Sequence, residues 1–555
     1  MQSDIETRNS IPRPWLASYS AYGIPAEIDA DACPSVVHLL EQAMRTYADK
    51  PAFRAFGQTL RYSDVDRLSA AFAAWLQQRL GVVKGDRIAV MMPNLLAFPI
   101  VLLGIARAGA IQVNVNPMYT PRELEHQLKD SGSERIVVFQ GATPTLAAIV
   151  GKTAVTTVIT VALGDGTQAA VPTPAVDPAL VGAIAFADAL AEGATLVRKP
   201  VPLQGQDLLF LQYTGGTTGL SKGAALSHRN LVANVMQYKT FMPQSLRVGE
   251  EVIVTALPLY HIFALMVNLI TYFSVGADNW LVANPRDVSG LVEVFRQARP
   301  TAFLGVNTLY AALLTHPQFA ELDFSRLRLA GGGGAAVLAA TSEKWKAVTG
   351  TFIREGYGLS ETSPVVSFNP EFIDGFTGTT GLPAPSTDVK LLDEEDREVA
   401  LGASGEICVK GPQVMAGYWN QPAANAAAFT ADGYFRTGDI GMFSAEGYLK
   451  IMDRKKDMVI VSGFNVFPNE VEAVASACPG VVECACVGVY DEKTSEALKL
   501  YVVKAADAAL DADAVVAFCR RELTSYKVPK QIAFVDTLPK SAVGKILRRD
   551  LRQDA

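Results

Sequence analysis

The chain has 555 residues, of which 49% are hydrophobic and 19% charged, and its formal net charge is -7. That length exceeds what one hydrophobic core serves and requires at least two domains. The acidic balance disfavours a general nucleic-acid binder, which carries an excess of lysine and arginine.

The N-terminus, Met1-Gln-Ser-Asp-Ile-Glu, has no apolar stretch of the kind a signal peptide needs. Ser63-Asp-Val-Asp66 reads as a capping box. Val65, Leu68, Phe72, Trp75 and Leu76 then recur at helical spacing. Gly85-Asp86 leads into a strand, Arg87-Ile-Ala-Val-Met91. Residues 164 to 181 are rich in Gly, Ala, Pro and Thr and read as a surface loop. Leu208-Leu-Phe-Leu-Gln212 is a buried strand, and Ser227 caps a helix with Leu231, Val235 and Tyr238 on one face. The apolar run from Ile262 to Val275 is interrupted by Asn268 and is shorter than the ~20 residues of a membrane span. Alternating helix and strand signals predict α/β layers with largely parallel sheets. After Asp453 a smaller α+β pattern begins, with a strand at Ala497–Val503 and a helix through Val515, Val516, Phe518, Cys519 and Leu523.

The six cysteines (Cys33, Cys408, Cys478, Cys484, Cys486, Cys519) contain no Cys-x-x-Cys pair. Buried reduced thiols of a cytosolic protein are expected. The five histidines are scattered, which gives a zinc site little support.

Tyr213-Thr-Gly-Gly-Thr-Thr-Gly-Leu-Ser-Lys-Gly-Ala224 packs four glycines, three threonines and a lysine into one loop after the buried strand. Such a loop suits a polyphosphate: glycines let backbone N–H groups approach the anion, hydroxyls add donors and the lysine adds charge. It differs from the P-loop of NTPases, since Lys222 follows Ser221 and precedes Gly223.

Further motifs follow in order: Pro258-Leu-Tyr-His-Ile-Phe263, Gly331-Gly-Gly-Gly334, Arg354-Glu-Gly-Tyr-Gly-Leu-Ser-Glu-Thr362 and Tyr434-Phe-Arg-Thr-Gly-Asp-Ile440. Asp453-Arg-Lys-Lys-Asp457, Ser462-Gly-Phe-Asn-Val-Phe-Pro-Asn-Glu-Val-Glu472 and Pro539-Lys-Ser-Ala-Val-Gly-Lys-Ile-Leu-Arg548 complete the set. Together they resemble the adenylate-forming superfamily over nearly the whole chain. Within it, Asn114 to His126, Thr255 to Ala264 and Asp453 to Glu470 are most similar to bacterial long-chain fatty-acid–CoA ligases.

The resemblance implies a large N-terminal AMP- and acyl-binding domain, residues 1–452, of layered α/β subdomains with parallel-rich sheets and a small β-barrel. It implies a smaller mobile α+β domain, residues 453–555, turning on a hinge at Asp453. The implied reaction joins a fatty acid to ATP as acyl-AMP, releasing pyrophosphate, and then to CoA as a thioester, releasing AMP.

The resemblance also assigns roles. Lys545 would reach the α-phosphate and the substrate carboxylate. Glu361 and Thr214 would hold Mg²⁺. Thr214, Gly215, Gly216, Thr217, Thr218, Gly219 and Lys222 would wrap the phosphates. Gly332, Gly333, Gly334, Tyr357, Gly358 and Ser360 would bind ATP or AMP, with the glycine run close to the base and Tyr357 stacking on it. Asp439 would bind the ribose hydroxyls, and Arg454 the ribose or a phosphate. His261 and Phe263 belong to the expected acyl pocket, with Ile262 to Val275 as its wall, and Gly463 to the CoA tunnel.

Three departures stand out. Gly215 replaces a common Ser or Thr, Ser221 a common Pro, and Ala336 a proline common after the glycine run. The 164–181 region also looks shorter and less basic than in typical long-chain bacterial ligases. Chain length, peripheral contact with the inner membrane face and a homodimer stay open. So do a medium-chain or aryl-carboxylate CoA ligase, a fatty-acyl-AMP ligase and a non-catalytic acyl-CoA or nucleotide sensor.

Overall fold

A computed structural model describes residues 13–167, 170–214, 221–462, 464–491, 494–505, 508–541 and 544–553. Two large sheets form the bulk of the chain. The first has seven strands, in spatial order Ile184–Ala185, Thr157–Val161, Arg135–Phe139, Arg87–Met91, Ile111–Val115, Leu208–Thr214 and Lys222–Ser227. All its pairings are parallel except the last, where the chain turns straight back on itself. The second has nine strands, with a parallel centre (Ile353–Gly358, Leu329–Gly332, Ala302–Gly305, Val252–Thr255, Asp278–Leu281, Pro51–Ala55) and antiparallel edges.

These strands are apolar because both faces of each sheet are covered. The helices Val36–Thr46, Tyr62–Gln78, Ala97–Arg107 and His228–Phe241 share one continuous apolar core with residues of both sheets. Ala97–Arg107 is buried on every side, which is why it carries no amphipathic stripe. Ile100, Val101, Leu102, Leu103 and Ile105 are all within 1% of full burial. Each contributes roughly 1.5–3 kcal/mol of hydrophobic stabilisation. At the end of this helix the buried Arg107 is neutralised by Glu41 at 3.0 Å and Asp66 at 2.5 Å.

Ser227 caps its helix as expected, accepting from Asn230 N at 3.2 Å. Ser63 does not cap. The helix starts at Tyr62, because Asp64 reaches back to accept from Arg61 N at 3.1 Å. Where the small β-barrel is expected, the described residues form a four-stranded antiparallel sheet, in order Asp388–Leu392, Gly405–Lys410, Phe435–Phe443 and Leu449–Arg454. The run after Phe263 is a fully buried π-helix, Ala264–Thr271. Its Asn268 donates to Thr255 Oγ1 at 3.1 Å and accepts at its carbonyl from Asn279 Nδ2 at 2.8 Å, which ties the helix to the second sheet.

The last sheet, Phe464–Val466, Val459–Val461, Ser495–Lys504, Val481–Asp491 and Gln531–Phe534, has apolar clusters of its own drawn entirely from residues after Asp453. Cys478, Cys484, Cys486 and Cys519 lie in one of these as free buried thiols. Among the described residues no helix is long and apolar enough to cross a membrane.

Candidate active site

The glycine-rich loop springs from the antiparallel pair at the edge of the first sheet. Register places Thr214 opposite Lys222 at its base. Gly215, Gly216, Thr217, Thr218 and Gly219, assigned to phosphate binding, lie outside the described residues, as does Gly463, assigned to the CoA tunnel. The stem is fixed from outside: Tyr213 donates to Asp130 Oδ2 at 2.6 Å, and His126 Nε2 lies 2.8 Å from the Ser221 carbonyl oxygen.

Glu361 is presented by a single 3₁₀ turn, Ser360–Thr362, directly after the strand Ile353–Gly358. The turn closes on itself, with Leu359 N donating to Thr362 Oγ1 at 3.0 Å. Gly358 must lack a side chain, since a Cβ there would lie 2.1 Å from the Pro364 carbonyl oxygen. The Glu361 side chain is buried, with Oε1 accepting from Tyr418 at 2.8 Å and lying 3.5 Å from Thr214 Oγ1. Burial raises its pKa, against the Tyr418 hydrogen bond, which lowers it. A carboxylate and a hydroxyl side by side are hard oxygen donors. Among the described residues there is no cluster of three or more His, Cys, Asp or Glu that would cage a metal by itself. A carboxylate oxygen beside a hydroxyl is a donor set of the kind that suits Mg²⁺, whose remaining shell is filled by water and phosphate.

Tyr357, Asp439 and Arg454 form a second group. Asp439 and Arg454 are cross-strand partners, so their side chains share a face. Arg454 Nε stands 3.4 Å from Asp439 Oδ1, and the Tyr357 hydroxyl donates to Oδ2 at 2.6 Å. Beside them runs the glycine segment. A Cβ on Gly332 would meet Val337 at 2.4 Å, so packing alone demands glycine there. Gly333 lies against the Phe263 ring, where a Cβ would stand 3.3 Å away, and Gly334 has φ +76°, which favours glycine.

His261 sits in a loop locked by Asn94. That amide donates to the carbonyls of Thr255 at 3.0 Å and Leu257 at 2.9 Å and accepts from Leu259 N at 2.8 Å. His261 Nδ1 accepts from Phe263 N at 3.3 Å, so any ring proton lies on Nε2. Burial, with the Lys545 charge as a second cause, pushes its pKa down to about 4.

Lys545 arrives from the far end of the chain. Its loop is closed by Ser541 N donating to Lys545 O at 2.7 Å and Lys545 N donating to Ser541 Oγ at 3.1 Å. Gly544 turns at φ +77° and accepts from Thr308 Oγ1 at 3.4 Å, which seats the loop on the second sheet's helix Asn307–Thr315. Burial foremost, and then the Arg454 charge, push the Lys545 ammonium down to about 8, while Asp439 opposes this. One ammonium, one guanidinium and one carboxylate thus converge beside a neutral imidazole. Such an arrangement can hold an anion and stabilise negative charge that grows on it.

Asp453 is wholly buried. Its oxygens accept from Arg454 N and Asn469 N, each at 2.8 Å, and Arg548 Nη1 lies at 3.2 Å. Arg548 also pairs with Glu472 at 2.7 Å.

Sequence reading missed three residues here. Tyr418, on Glu361, was signalled only by the Gly417-Tyr-Trp419 aromatic pair. Arg548 was quoted as the end of the Pro539–Arg548 motif but not as a partner of Asp453. Glu355 was quoted inside a motif without a role. Its carboxyl accepts from Val337 N at 3.2 Å, and burial pushes its pKa up to about 8.

Residues 40–419 match the AMP-binding enzyme family, and residues 470–545 match the AMP-binding enzyme C-terminal domain. The chain is 50% identical to a long-chain-fatty-acid–CoA ligase of Salmonella typhimurium over 98% of each chain. It is 34% identical to a feruloyl-CoA synthase of an Amycolatopsis species, covering 90% of this chain and 95% of that one. Among solved structures, ATP-bound MatB from Rhodopseudomonas palustris superposes with a TM-score of 0.81 at 30% identity, covering 93% of this chain and 98% of that one.

Proposed function

We propose that this chain, which belongs to the AMP-binding enzyme family, is an ATP-dependent long-chain-fatty-acid–CoA ligase that works through acyl-AMP. The observation that carries this reading is the 50% identity to a ligase of that activity, maintained over 98% of both chains. The arrangement of charged and hydrogen-bonding groups supports the following roles.

The first half-reaction brings a carboxylate anion against a triphosphate, so charge is the obstacle. In our reading Lys545 and Arg454 flank the α-phosphate and the incoming carboxylate. The negative charge that grows at the reacting phosphorus is met by positive groups already in place, which need no reorganisation. Asp439 accepts hydrogen bonds from a ribose diol, and the Tyr357 ring lies beside the purine. Thr214 and Glu361 would hold Mg²⁺, which supplies Lewis-acid neutralisation of the phosphates when bound. His261 and Phe263 bound the entrance of the acyl pocket, and the buried π-helix walls it. Each buried methylene of the substrate gains ~0.8 kcal/mol, so a long chain binds strongly without any polar handle.

We also read the chain as two units meeting at residues 452 and 453. The separate apolar clusters after Asp453 support this. Rotation of the second unit would withdraw Lys545 and bring the segment containing Gly463 to the acyl-AMP, where the CoA thiol displaces AMP. Contact with a lipid surface would be peripheral, since the substrate partitions into lipid.

The test is thioester formation with ATP and CoA across benzoate, ferulate, octanoate, palmitate and oleate. Palmitate and oleate are expected to give the highest kcat/KM. The feruloyl-CoA synthase relative makes the aryl acids the informative rivals, and a preference for them would overturn the chain-length assignment.

A further inference from the structure

Tyr418 touches two parts of the phosphate site at once. Its hydroxyl donates to Glu361 Oε1 at 2.8 Å, the same oxygen that lies 3.5 Å from Thr214 Oγ1. Its ring lies beneath the Lys222 ammonium, 5.2 Å from the centroid, within the range of a cation–π contact. The backbone around it is tied on both sides. Trp419 N donates to Gly223 O at 2.8 Å and Ala225 N donates to Gly417 O at 3.0 Å, which zips this segment to the return strand of the glycine loop. Asn425 then clasps Tyr418 itself, accepting from its N–H at 2.7 Å and donating to its carbonyl at 3.0 Å. The neighbouring Met415 N donates to the Glu361 carbonyl at 2.8 Å. One short segment thus fixes both the acidic turn and the strand that leaves the loop.

We propose that Tyr418 is a positioning residue for the metal–triphosphate complex, its hydroxyl orienting the Glu361 carboxylate and its ring face orienting Lys222. With Oε1 committed to Tyr418, the carboxylate cannot turn without losing a charge-assisted bond in a buried setting. The ring gives the ammonium a fixed resting place that solvent would not. This inference rests on the reading that Glu361 and Thr214 hold Mg²⁺ with ATP, and it adds a residue that neither touches the nucleotide nor ligates the metal.

The experiment is direct binding of α,β-methylene-ATP to the full chain by calorimetry, once with excess Mg²⁺ and once with EDTA. Wild type, Tyr418→Phe, Tyr418→Leu and Glu361→Gln are compared. Wild type and all variants are first checked for matching thermal melts. Wild type gains affinity from Mg²⁺. Tyr418→Phe should cut that gain by about 10-fold, as loss of an outer-shell partner does, with metal-free affinity unchanged. Tyr418→Leu should weaken metal-free binding as well, because Lys222 loses its ring. If Tyr418→Phe keeps the full Mg²⁺ gain while Glu361→Gln loses it, the hydroxyl role is overturned and the metal site stands. If Glu361→Gln also keeps the gain, the metal assignment falls and the hydroxyl role with it. Unchanged metal-free binding in Tyr418→Leu overturns the Lys222 half.

Discussion

The Tyr357 hydroxyl donates to Asp439 Oδ2 at 2.6 Å, across 82 residues of sequence. The aromatic expected beside the base and the carboxylate expected at the sugar are therefore one hydrogen-bonded unit. Tyr357→Phe keeps the ring and frees one carboxylate oxygen. Bonds to charged groups are worth about 1.5–3 kcal/mol, and here the bond acts on orientation rather than on the reacting atoms. The variant should raise KM for ATP by roughly 10-fold with kcat nearly unchanged, the pattern of lost uniform binding. Steady-state kinetics with ATP varied at saturating palmitate checks this.

Arg548 neutralises three carboxylates near the start of the last sheet: Asp453 at 3.2 Å, Asp457 at 3.7 Å and Glu472 at 2.7 Å. Burial foremost raises the pKa of Asp453 and of Glu472, and the Arg548 charge opposes it in both. Arg548→Gln leaves buried charges without a partner, which costs on the order of 3–5 kcal/mol. Calorimetric unfolding should show the loss, and limited proteolysis should place the earliest cuts after residue 453. Arg548→Lys should recover only part, since one ammonium cannot reproduce the guanidinium fork.

Much of this was legible in the sequence, and the exceptions are instructive. Arg87–Met91 and the Leu208–Gln212 part of the strand Leu208–Thr214 announced themselves because strands covered on both faces read as unbroken apolar runs. Ser227 was readable because capping is local. Ser63 misled because Asp64, inside the same four-residue pattern, found a better partner in Arg61. No periodicity could separate a π-helix from an α-helix at Ala264–Thr271, where every residue is buried. Tyr418 and Arg548 stayed hidden for a different reason. Their partners Glu361 and Asp453 lie 57 and 95 residues away, and only the fold brings them together.

The two titrating neighbours in the site predict a one-sided pH profile. His261 is held neutral down to about pH 4, so adenylation should show no inflection near the ordinary histidine value of 6.5. Lys545 loses its proton at about 8 when folded, against 10.5 for the free side chain. In the proposed mechanism adenylation uses the ammonium, so its rate should fall as pH rises through about 8. Stability moves the other way. The unfolded chain holds more protons between the two values, so the Lys545 contribution becomes more favourable to folding as pH rises across that window. Pyrophosphate exchange and thermal melts from pH 6 to about 10 would check both trends, the upper limit being set by the Lys545 titration.

The central claim is that one ammonium from the last hundred residues makes the first half-reaction possible and is not needed for the second. It is tested most directly by separating the halves in Lys545→Ala. Palmitate-dependent ATP–pyrophosphate exchange should fall by about 10²–10³ while ATP binding persists. Palmitoyl-CoA formation from supplied palmitoyl-AMP should stay near the wild-type rate. Exchange equal to wild type, or loss of both halves together, would contradict the account.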